Sequence, residues 1–405
     1  MRAIEIAENL YWVGAIDWGI RNFHGYKTSR GSSYNAYLIC GSKNILIDSV
    51  KKEFFPEMRE RILSVLPEGK IDFFISNHSE MDHSGALPLA FSVFRPDKIF
   101  ASEKGEIALR KHFNTELPIT SVKDGQELIL GNQKFLFLET KMLHWPDSMF
   151  TYMPNRGILF SQDAFGMHFA SAQIFSDLEN QVYIEEETKK YFANIITPYS
   201  KLVINLLKKI KELDWQLNLV CSDHGPIHRD KKVINRILSL WLEWSNQIKK
   251  DKGLIVFDSM WGSTSAIARR IEDGLSSVGI DVIEFPLQVS HYSDIVSALL
   301  DAKLLLIGSP TLNSQMMPSV ASALHYIQGL RFQNLFGQAF GSYGWNKLAI
   351  KKIVDFLGSE MAVEMLNIGP FEVQYVPTNQ ELRRAVKYGR EIGIKIKETG
   401  ENEKR

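Results

Sequence analysis

One short loop holds four potential metal ligands within six residues: His78, Glu80, Asp82 and His83. It directly follows the apolar, strand-like segment Ile71–Ile75. Two imidazoles and two carboxylates at this spacing suit a pair of metal ions better than one ion, because so tight a loop would be strained around a single tetrahedral centre. The alternative is a polar, solvated turn, and further ligands in similar settings downstream would decide between the two.

Three later apolar segments each end near such a ligand, namely His144, Asp163 and His224. The segments are 135–143, 157–160 and 217–221. Buried strands that deliver polar residues at their ends commonly build the sites of α/β enzymes. Taken with the six-residue loop, they favour a metal site over a set of unrelated hydrogen-bonded turns.

The pattern H-x-E-x-D-H, followed by His, Asp and His, resembles the metallo-β-lactamase fold and specifically its flavodiiron branch. Hydrolases of that superfamily have a histidine where this chain has Glu80, whereas flavodiiron proteins have an iron-binding carboxylate there. A carboxylate makes the site harder and more anionic, which favours iron in its higher oxidation state. The resemblance implies a non-haem diiron site, with one iron bound by His78, Glu80 and His144, the other by Asp82, His83 and His224, and Asp163 bridging them.

The composition is that of a soluble globular protein of two domains. The chain has 405 residues, 45% of them hydrophobic, and its 47 basic residues balance 47 acidic ones, so no charge pattern for nucleic acid is visible. The N-terminus does not resemble a secretory signal, and no apolar run reaches the length of a membrane span. Cys40 and Cys221 have no metal-ligand spacing, and no disulfide is expected. We therefore predict a cytoplasmic protein without membrane contact.

Residues 1–250 are predicted to form the metal-binding domain. Apolar runs around the turn 41–44 predict a β-hairpin over 37–48, and a second hairpin is predicted over 149–160. Helical periodicity covers 185–211, interrupted at Pro198, and 233–248. The resemblance implies that these elements form an αββα sandwich, an α+β architecture.

From Gly253 the chain alternates short apolar strands with helices, which predicts an α/β domain with a doubly wound parallel sheet over residues 251–398. The polar stretch 247–252 is predicted to be a connector, and 399–405 a polar tail. The predicted strands are 254–257, 281–285, 304–307, 338–340 and 361–366, with a last helix over about 379–397.

The first strand of this second domain leads into a loop of small and hydroxylated residues: Ser259, Met260, Trp261, Gly262, Ser263 and Thr264. Such a turn before a helix lets backbone amides and hydroxyls surround a phosphate at the positive helix terminus. No lysine follows the glycine and no G-x-G-x-x-G run occurs, which argues against a nucleoside triphosphate or a dinucleotide. The loop resembles the phosphate-binding turn of flavodoxins, which hold flavin mononucleotide (FMN).

Two further loops follow the third and fourth strands of the same domain. Their candidate flavin contacts are Pro310, Thr311, Leu312 and Asn313, and then Ser342, Tyr343, Gly344 and Trp345. Ligands bind at the carboxyl ends of the strands in such sheets. In flavodoxins similar loops contact the flavin ring and its side chain. A plain surface role for Tyr343 or Trp345 is the alternative, and the presence of all three loops favours FMN.

Together the two sites imply a flavodiiron oxidoreductase. Proteins of this family reduce dioxygen (O2) to water, nitric oxide (NO) to nitrous oxide, or both, with electrons passed from FMN to the irons. The family resemblance further implies a head-to-tail homodimer, or a dimer of dimers. The chain lacks an appended rubredoxin-type module, so an external donor such as a rubredoxin or a reduced deazaflavin is expected.

Two alternatives stay open from the sequence. One is a dinuclear zinc hydrolase of the glyoxalase II type fused to a flavodoxin, and the other is a non-catalytic flavin electron carrier. His24, Tyr26 or Tyr191 are hypothesised to line the gas pocket and donate protons. His168 and His228 are candidates for supporting the ligands, although core or surface roles fit their spacing better. The remaining histidines, His112, His291 and His325, are predicted to be structural or exposed.

Overall fold

Three main β-sheets organise the chain. The computed structural model describes residues 1–114 and 116–402, the last three by backbone only. Within this range the strands form sheets of seven, five and six strands and two small two-stranded ribbons. Contacts divide the chain into two units: residues 1–191 and 199–245 form the first, and residues 192–198 and those from 246 onwards form the second. The functional boundary predicted after residue 250 stays a prediction, and residues 403–405 of the predicted tail lie outside the described residues.

The first unit contains the seven- and five-stranded sheets with seven α-helices, counted over its described residues. Its strands are β1 (Ile4–Ala7), β2 (Leu10–Trp12), β3 (Ala15–Asp17), β4 (Asn22–Phe23), β5 (Tyr26–Lys27), β6 (Ser32–Tyr34), β7 (Tyr37–Ile39), β8 (Ile45–Ile47), β9 (Phe73–Ser76), β10 (Lys98–Ser102), β11 (Ile119–Val122), β12 (Glu127–Leu130), β13 (Gln133–Glu139), β14 (Met149–Met153), β15 (Ile158–Gln162) and β16 (Leu219–Ser222). Its helices are α1 (Phe55–Val65), α2 (Met81–Ser84), α3 (Leu87–Phe94), α4 (Glu103–Phe113), α5 (Gln181–Tyr191), α6 (Ser200–Glu212) and α7 (Lys231–Ser245).

The two large sheets of this unit pack face to face. The first has the strand order β1-β2-β7-β8-β9-β10-β11, and the second has the order β12-β13-β14-β15-β16. Alternation along β7 shows how the first sheet is buried on both sides. Tyr37 and Ile39 join the core between the sheets, whereas Leu38 joins the core beneath α1 and α3. On the outer side of the second sheet, the Phe165 ring packs 4.8 Å from Trp241 of α7. The αββα sandwich is therefore confirmed, as are the hairpins β7–β8 and β14–β15.

The second unit is built on the six-stranded sheet. Its strands are β17 (Lys250–Phe257), β18 (Asp281–Pro286), β19 (Ala302–Pro310), β20 (Phe336–Tyr343), β21 (Glu364–Met365) and β22 (Phe371–Gln374). Its helices are α8 (Ser263–Ser276), α9 (Tyr292–Leu299), α10 (Pro318–Gly329), α11 (Leu348–Asp355) and α12 (Asn379–Asn402).

All strand pairs in this sheet are parallel, in the order β18-β17-β19-β20, with β21 and β22 both pairing with β20. This is the 2-1-3-4-5 order of flavodoxin-like sheets, which confirms the doubly wound prediction. Ile255 and Phe257 face the core formed with α8 and α12.

Helices α8 and α12 approach so closely that glycines line their contact. A Cβ atom on Gly274 would lie 2.1 Å from the carbonyl oxygen of Val386, and one on Gly389 would lie 2.1 Å from that of Ile271. Both distances are shorter than any real carbon–oxygen contact, so the backbones can meet only where a side chain is absent.

Several predicted boundaries were wrong. The fifth strand, predicted over 361–366, is only two residues long as β21. Pairing with β20 resumes at β22, after a break over 366–370 that contains Gly369 and Pro370. Pro370 cannot donate a ladder hydrogen bond, which accounts for the interruption. The connector predicted over 247–252 is wrong in its second half, since β17 starts at Lys250. Helix α7 ends at Ser245 instead of residue 248, and α12 extends beyond 397.

Among the described residues, no helix combines the length and the apolar character needed to cross a lipid bilayer.

Candidate metal centre and flavin loops

The seven predicted ligands lie in segments that follow strands of both large sheets of the first unit. Strand β9 ends at Ser76. The turn that follows carries His78 and Glu80 and leads into α2, which carries Asp82 and His83. Asp163 follows β15 directly and His224 follows β16 after one residue. His144 does not end a strand, because β13 stops at Glu139 and a turn leads on to the histidine.

Four of these side chains form a first group. Nε2 of His144 lies 2.9 Å from Oδ2 of Asp163 and 3.1 Å from Oε2 of Glu80. Nε2 of His78 lies 3.4 Å from the same two oxygens. The four ligand atoms all lie within 4.8 Å of one another, close enough to surround one ion.

Asp82, His83 and His224 form the second group, again with ligand atoms within 4.8 Å of one another. Asp163 faces this group with its other oxygen: Oδ1 lies 3.1 Å from Nε2 of His83 and 3.4 Å from Nε2 of His224. One carboxylate therefore presents Oδ2 to the first group and Oδ1 to the second. This is the arrangement that a bridging ligand requires.

Several of the ligand atoms are buried without hydrogen-bond partners. Among the described residues these orphaned atoms include Nε2 of His78 and of His83, both oxygens of Asp82, and Oδ1 of Asp163. An unpartnered buried polar atom is costly, and three carboxylates packed together would repel one another. Two divalent cations would satisfy the lone pairs and neutralise the charge. The residues thus fit a pair of metal ions that accept nitrogen and oxygen ligands.

A second layer of contacts orients two of the imidazoles. Oδ2 of Asp147 accepts hydrogen bonds from Nδ1 of His78 at 3.1 Å and from the Ser79 amide at 2.6 Å. Although burial opposes it, the hydrogen bonds from His78 and Ser79 lower the pKa of Asp147 to about 2. Nδ1 of His224 donates to the carbonyl oxygen of Ser33 at 2.7 Å. These bonds leave each Nε2 free to face the centre.

The sequence did not single out Asp147, because a lone aspartate between Pro146 and Ser148 looks like an ordinary turn residue. Its role depends on the long-range contact with His78, 69 residues earlier. No local signal could have found it.

Tyr191 and His168 lie beside the second group. The His168 ring is 4.5 Å from that of His224, and the Tyr191 ring is 5.1 Å from that of His168. Burial, together with the charges of Asp163 and Glu80, raises the pKa of Tyr191 well above its usual range, so its hydroxyl keeps its proton. His168 is buried, with Nδ1 2.8 Å from the Ser32 hydroxyl.

The other histidines are placed as structural or surface residues. His228 bonds to the Ser176 hydroxyl and to the carbonyl of Phe165, and His291 accepts the Ser293 amide at the start of α9. His112 and His325 are exposed.

A cavity of about 300 Å³ borders the second group through Asp82. Its lining also includes Met81, Phe23 and His24. His24 is thus placed at the cavity, whereas Tyr26 is buried with its ring 5.1 Å from His168.

The three predicted flavin loops lie together at the carboxyl ends of the parallel strands of the six-stranded sheet. Strands β17, β19 and β20 run parallel in register, with Phe257 opposite Gly308 and Pro310 opposite Ser342. The Thr264 hydroxyl lies 3.0 Å from that of Ser342, which joins the first loop to the third.

This end of the sheet offers unsatisfied donors to an anionic ligand. Helix α8 starts at Ser263 after Gly262, which has no side chain to cap the helix and lies at φ +85° with open space around it. The Ser259 hydroxyl accepts hydrogen bonds from the amides of Gly262 at 3.1 Å and of Ser265 at 3.5 Å. The Oγ1 atom of Thr311 is buried without a hydrogen-bond partner among the described residues. A phosphate at the helix terminus would satisfy such groups. The side chains of Trp261 and Trp345 in these loops are 92% and 91% exposed.

Comparison with known families covers both regions. Residues 33–225 match the family model described as ODP family beta lactamase, and residues 255–389 match the flavodoxin model.

Relatives of known name align with almost the entire chain. Nitric oxide reductase from Moorella thermoacetica is 37% identical over 396 residues, which cover 97% of this chain and 98% of the relative. The structure of rubredoxin oxygen:oxidoreductase from the anaerobe Desulfovibrio gigas matches with a TM-score of 0.95 at 36% identity, covering 98% of this chain and 99% of that one. The flavodiiron protein from Giardia intestinalis matches with a TM-score of 0.93 at 31% identity, covering 98% and 97%.

Proposed function

Because the chain belongs to the flavodiiron protein family, we propose that its seven clustered side chains hold the two non-haem irons at which dioxygen or nitric oxide is reduced. The observation that carries the assignment is the position of Asp163, whose two oxygens face two separate groups of ligands. One iron would be held by His78, Glu80 and His144, and the other by Asp82, His83 and His224. Asp163 would bridge them.

The protein is an oxidoreductase. When bound, the irons would supply the electrons and the Lewis acidity that reduction of a diatomic gas requires. The protein's own residues position this chemistry: Glu80, Asp82 and Asp163 provide hard anionic ligands, and burial of the group keeps bulk water out. The cavity beside Asp82 would admit the gas.

FMN would bind at the carboxyl ends of the parallel strands of the six-stranded sheet. Ser259 to Thr264 would surround its phosphate at the start of α8. The loops after β19 and β20, from Pro310 to Asn313 and from Ser342 to Trp345, would contact its ribityl chain and ring. When bound, the flavin would accept electron pairs and release single electrons. The open turn at Gly262 before α8 and the buried Thr311 hydroxyl without a hydrogen-bond partner among the described residues support this placement.

A head-to-tail homodimer, or a dimer of such dimers, is part of the proposal. Its support is the exposure of Trp261 and Trp345 at the flavin loops. Exposed aromatic side chains are typical of surfaces that another protein covers. Light scattering of the purified protein tests this, and a monomer at micromolar concentration would contradict it.

The electron donor is proposed to be an external carrier. A rubredoxin is favoured because one similar protein is named rubredoxin oxygen:oxidoreductase. A reduced deazaflavin is the second candidate. Cytoplasmic location is proposed because Cys40 and Cys221 are both free thiols, as in proteins of reducing compartments.

The test is anaerobic reduction of the purified holoprotein, followed by separate exposure to dioxygen and to nitric oxide while flavin reoxidation is timed. Rapid reoxidation by at least one gas is expected, and the ratio of the two rates gives the substrate preference. An Asp163→Ala variant that reoxidises at the parent rate with both gases would overturn the proposal.

Metal and flavin analysis of the same preparation distinguishes the two alternative functions. Two zincs and no iron would favour the hydrolase of the glyoxalase II type. Bound flavin without metal would favour the non-catalytic carrier. Family membership argues against both.

A further inference from the structure

His83 differs from His78 and His224 in the group that lies behind the imidazole ring. His78 is backed by Asp147 and His224 by the carbonyl of Ser33, each through a hydrogen bond. Neither nitrogen of His83 has a hydrogen-bond partner among the described residues, and its side chain is fully buried.

Asp223 is a second buried residue of this region whose side-chain atoms lack hydrogen-bond partners. It is fully buried, and neither of its carboxylate oxygens has a hydrogen-bond partner within the described chain. Its Oδ2 lies 3.4 Å from Nδ1 of His83. Two unsatisfied buried atoms, one able to donate and the other to accept, therefore face each other.

The backbone fixes Asp223 in this position. Its amide donates to the carbonyl of Gln162 and its own carbonyl accepts the Asn35 amide, both at 2.8 Å. The next residue, His224, carries a side chain of the second ligand group. Two consecutive residues thus have different roles: His224 is a ligand of the second group, and Asp223 places its carboxylate behind His83.

We propose that Asp223 is a positioning residue that keeps Nδ1 of His83 protonated and so directs Nε2 of His83 to the metal. The proposal rests on the function proposed above. An imidazole binds a metal through one nitrogen, and an acceptor at the other nitrogen selects the tautomer and ring orientation. Neither oxygen of Asp223 has a hydrogen-bond partner within the described residues, so no such bond gives the side chain a purely structural role.

The test uses Co2+ titration of the metal-free full-length protein, followed by its visible absorption spectrum. For Asp223→Asn we expect the ion at the second group to bind roughly 10 to 100-fold more weakly, with the ion at the first group unaffected. The amide can donate as well as accept, so it no longer enforces one tautomer. The melting temperature of the metal-free variant should not fall, because the Asp223 side chain has no hydrogen bond within the described residues that the variant could lose.

A merely structural role predicts the opposite sign, a lower melting temperature of the metal-free protein with parental metal affinity, and that result would overturn the proposal. Asp48→Asn is the matched control, because Asp48 is equally buried but bonds to Asn77 instead of a ligand. Equal loss of metal affinity in both variants would also overturn it, since that would be an effect of charge alone.

A double variant, Asp223→Asn with His83→Ala, keeps the proposal testable if the single Asp223→Asn variant folds poorly. If Asp223 acts through His83, Asp223→Asn should not weaken Co2+ binding further in a His83→Ala background. A further loss there contradicts the proposal. A parent protein that binds no Co2+ at all would instead contradict the proposed function, so the two failures are distinguishable.

Discussion

Oδ2 of Asp163 lies 2.9 Å from Nε2 of His144, although the two residues follow different strands and are 19 positions apart. Oδ1 of the same carboxylate faces His83 at 3.1 Å. Asp163 is the residue common to both ligand groups, so it is the one whose loss should affect both ions at once.

We expect Asp163→Ala to lose most of its iron and its gas reduction while it retains FMN. His83→Asn should lose gas reduction as well, with iron loss confined to the second group. Elemental analysis, flavin absorbance and gas uptake measured on the same samples check this. Either variant consuming both gases at the parent rate would show that the ligands are wrongly assigned.

Asp147→Asn should weaken metal binding at the first group by roughly 10 to 100-fold, because His78 loses the acceptor that orients it. Competition with a chelator of known affinity measures the change. Asp97→Asn is the control, since that side chain is exposed and remote in sequence from the ligands. Equal metal affinity in the Asp147 variant and the parent would remove Asp147 from this role.

Tyr191→Phe tests whether this hydroxyl supplies protons, which the reduction of either gas consumes. A positioned acid contributes roughly 100-fold or more to a rate, so turnover should fall while iron and flavin contents stay at parent levels. Tyr152→Phe is the matched control, because Tyr152 is buried in the same unit but bonds to the carbonyl of Gln216. Unchanged turnover on both gases would exclude Tyr191 as the donor.

Gly262→Ala should reduce FMN occupancy. The residue has φ +85°, and a side chain in that conformation costs about 1–2 kcal/mol, so the turn before α8 would shift. Flavin absorbance per chain after dialysis is the measurement. The control is Gly329→Ala, at the end of α10, where a Cβ would also meet open space but φ is not positive. Similar flavin loss in both would show that the conformation of Gly262 is unimportant.

Gly274→Ala should destabilise the second unit by about 1–3 kcal/mol or more, since a methyl group there meets the backbone of α12. Flavin fluorescence recorded during unfolding in denaturant measures the stability of this unit. Iron content should not change, because every ligand belongs to the first unit. Gly369→Ala, with no atom within 4 Å of its Cβ, is the neutral comparison. Equal stability of the two variants would contradict the packing argument.

The cluster of candidate ligands could be anticipated from the sequence because several metal-binding residue types occur close together in the chain. Glu80 and Asp82 share a loop with two histidines, and Asp163 and His224 follow apolar runs that became β15 and β16. The parallel sheet was equally visible, since buried parallel strands are continuous apolar segments.

What could not be anticipated depends on contacts between distant parts of the chain. Asp147 and Asp223 look like turn residues until the fold brings them behind histidines 69 and 140 positions earlier in the chain. The strand β17 begins with Lys250 because ladder hydrogen bonds involve the backbone and tolerate charged side chains at an exposed strand end. Strand β22 was missed because Pro370 lies just before it.

The ligands of the second group come from α2, which follows the seven-stranded sheet, and from the end of β16 in the five-stranded sheet. Any ion held there ties one layer of the sandwich to the other, much as a cross-link between distant parts of the chain would. Bound metal would thus add to the hydrophobic core that already joins the two layers, so loss of metal should loosen the scaffold as well as abolish the proposed gas reduction.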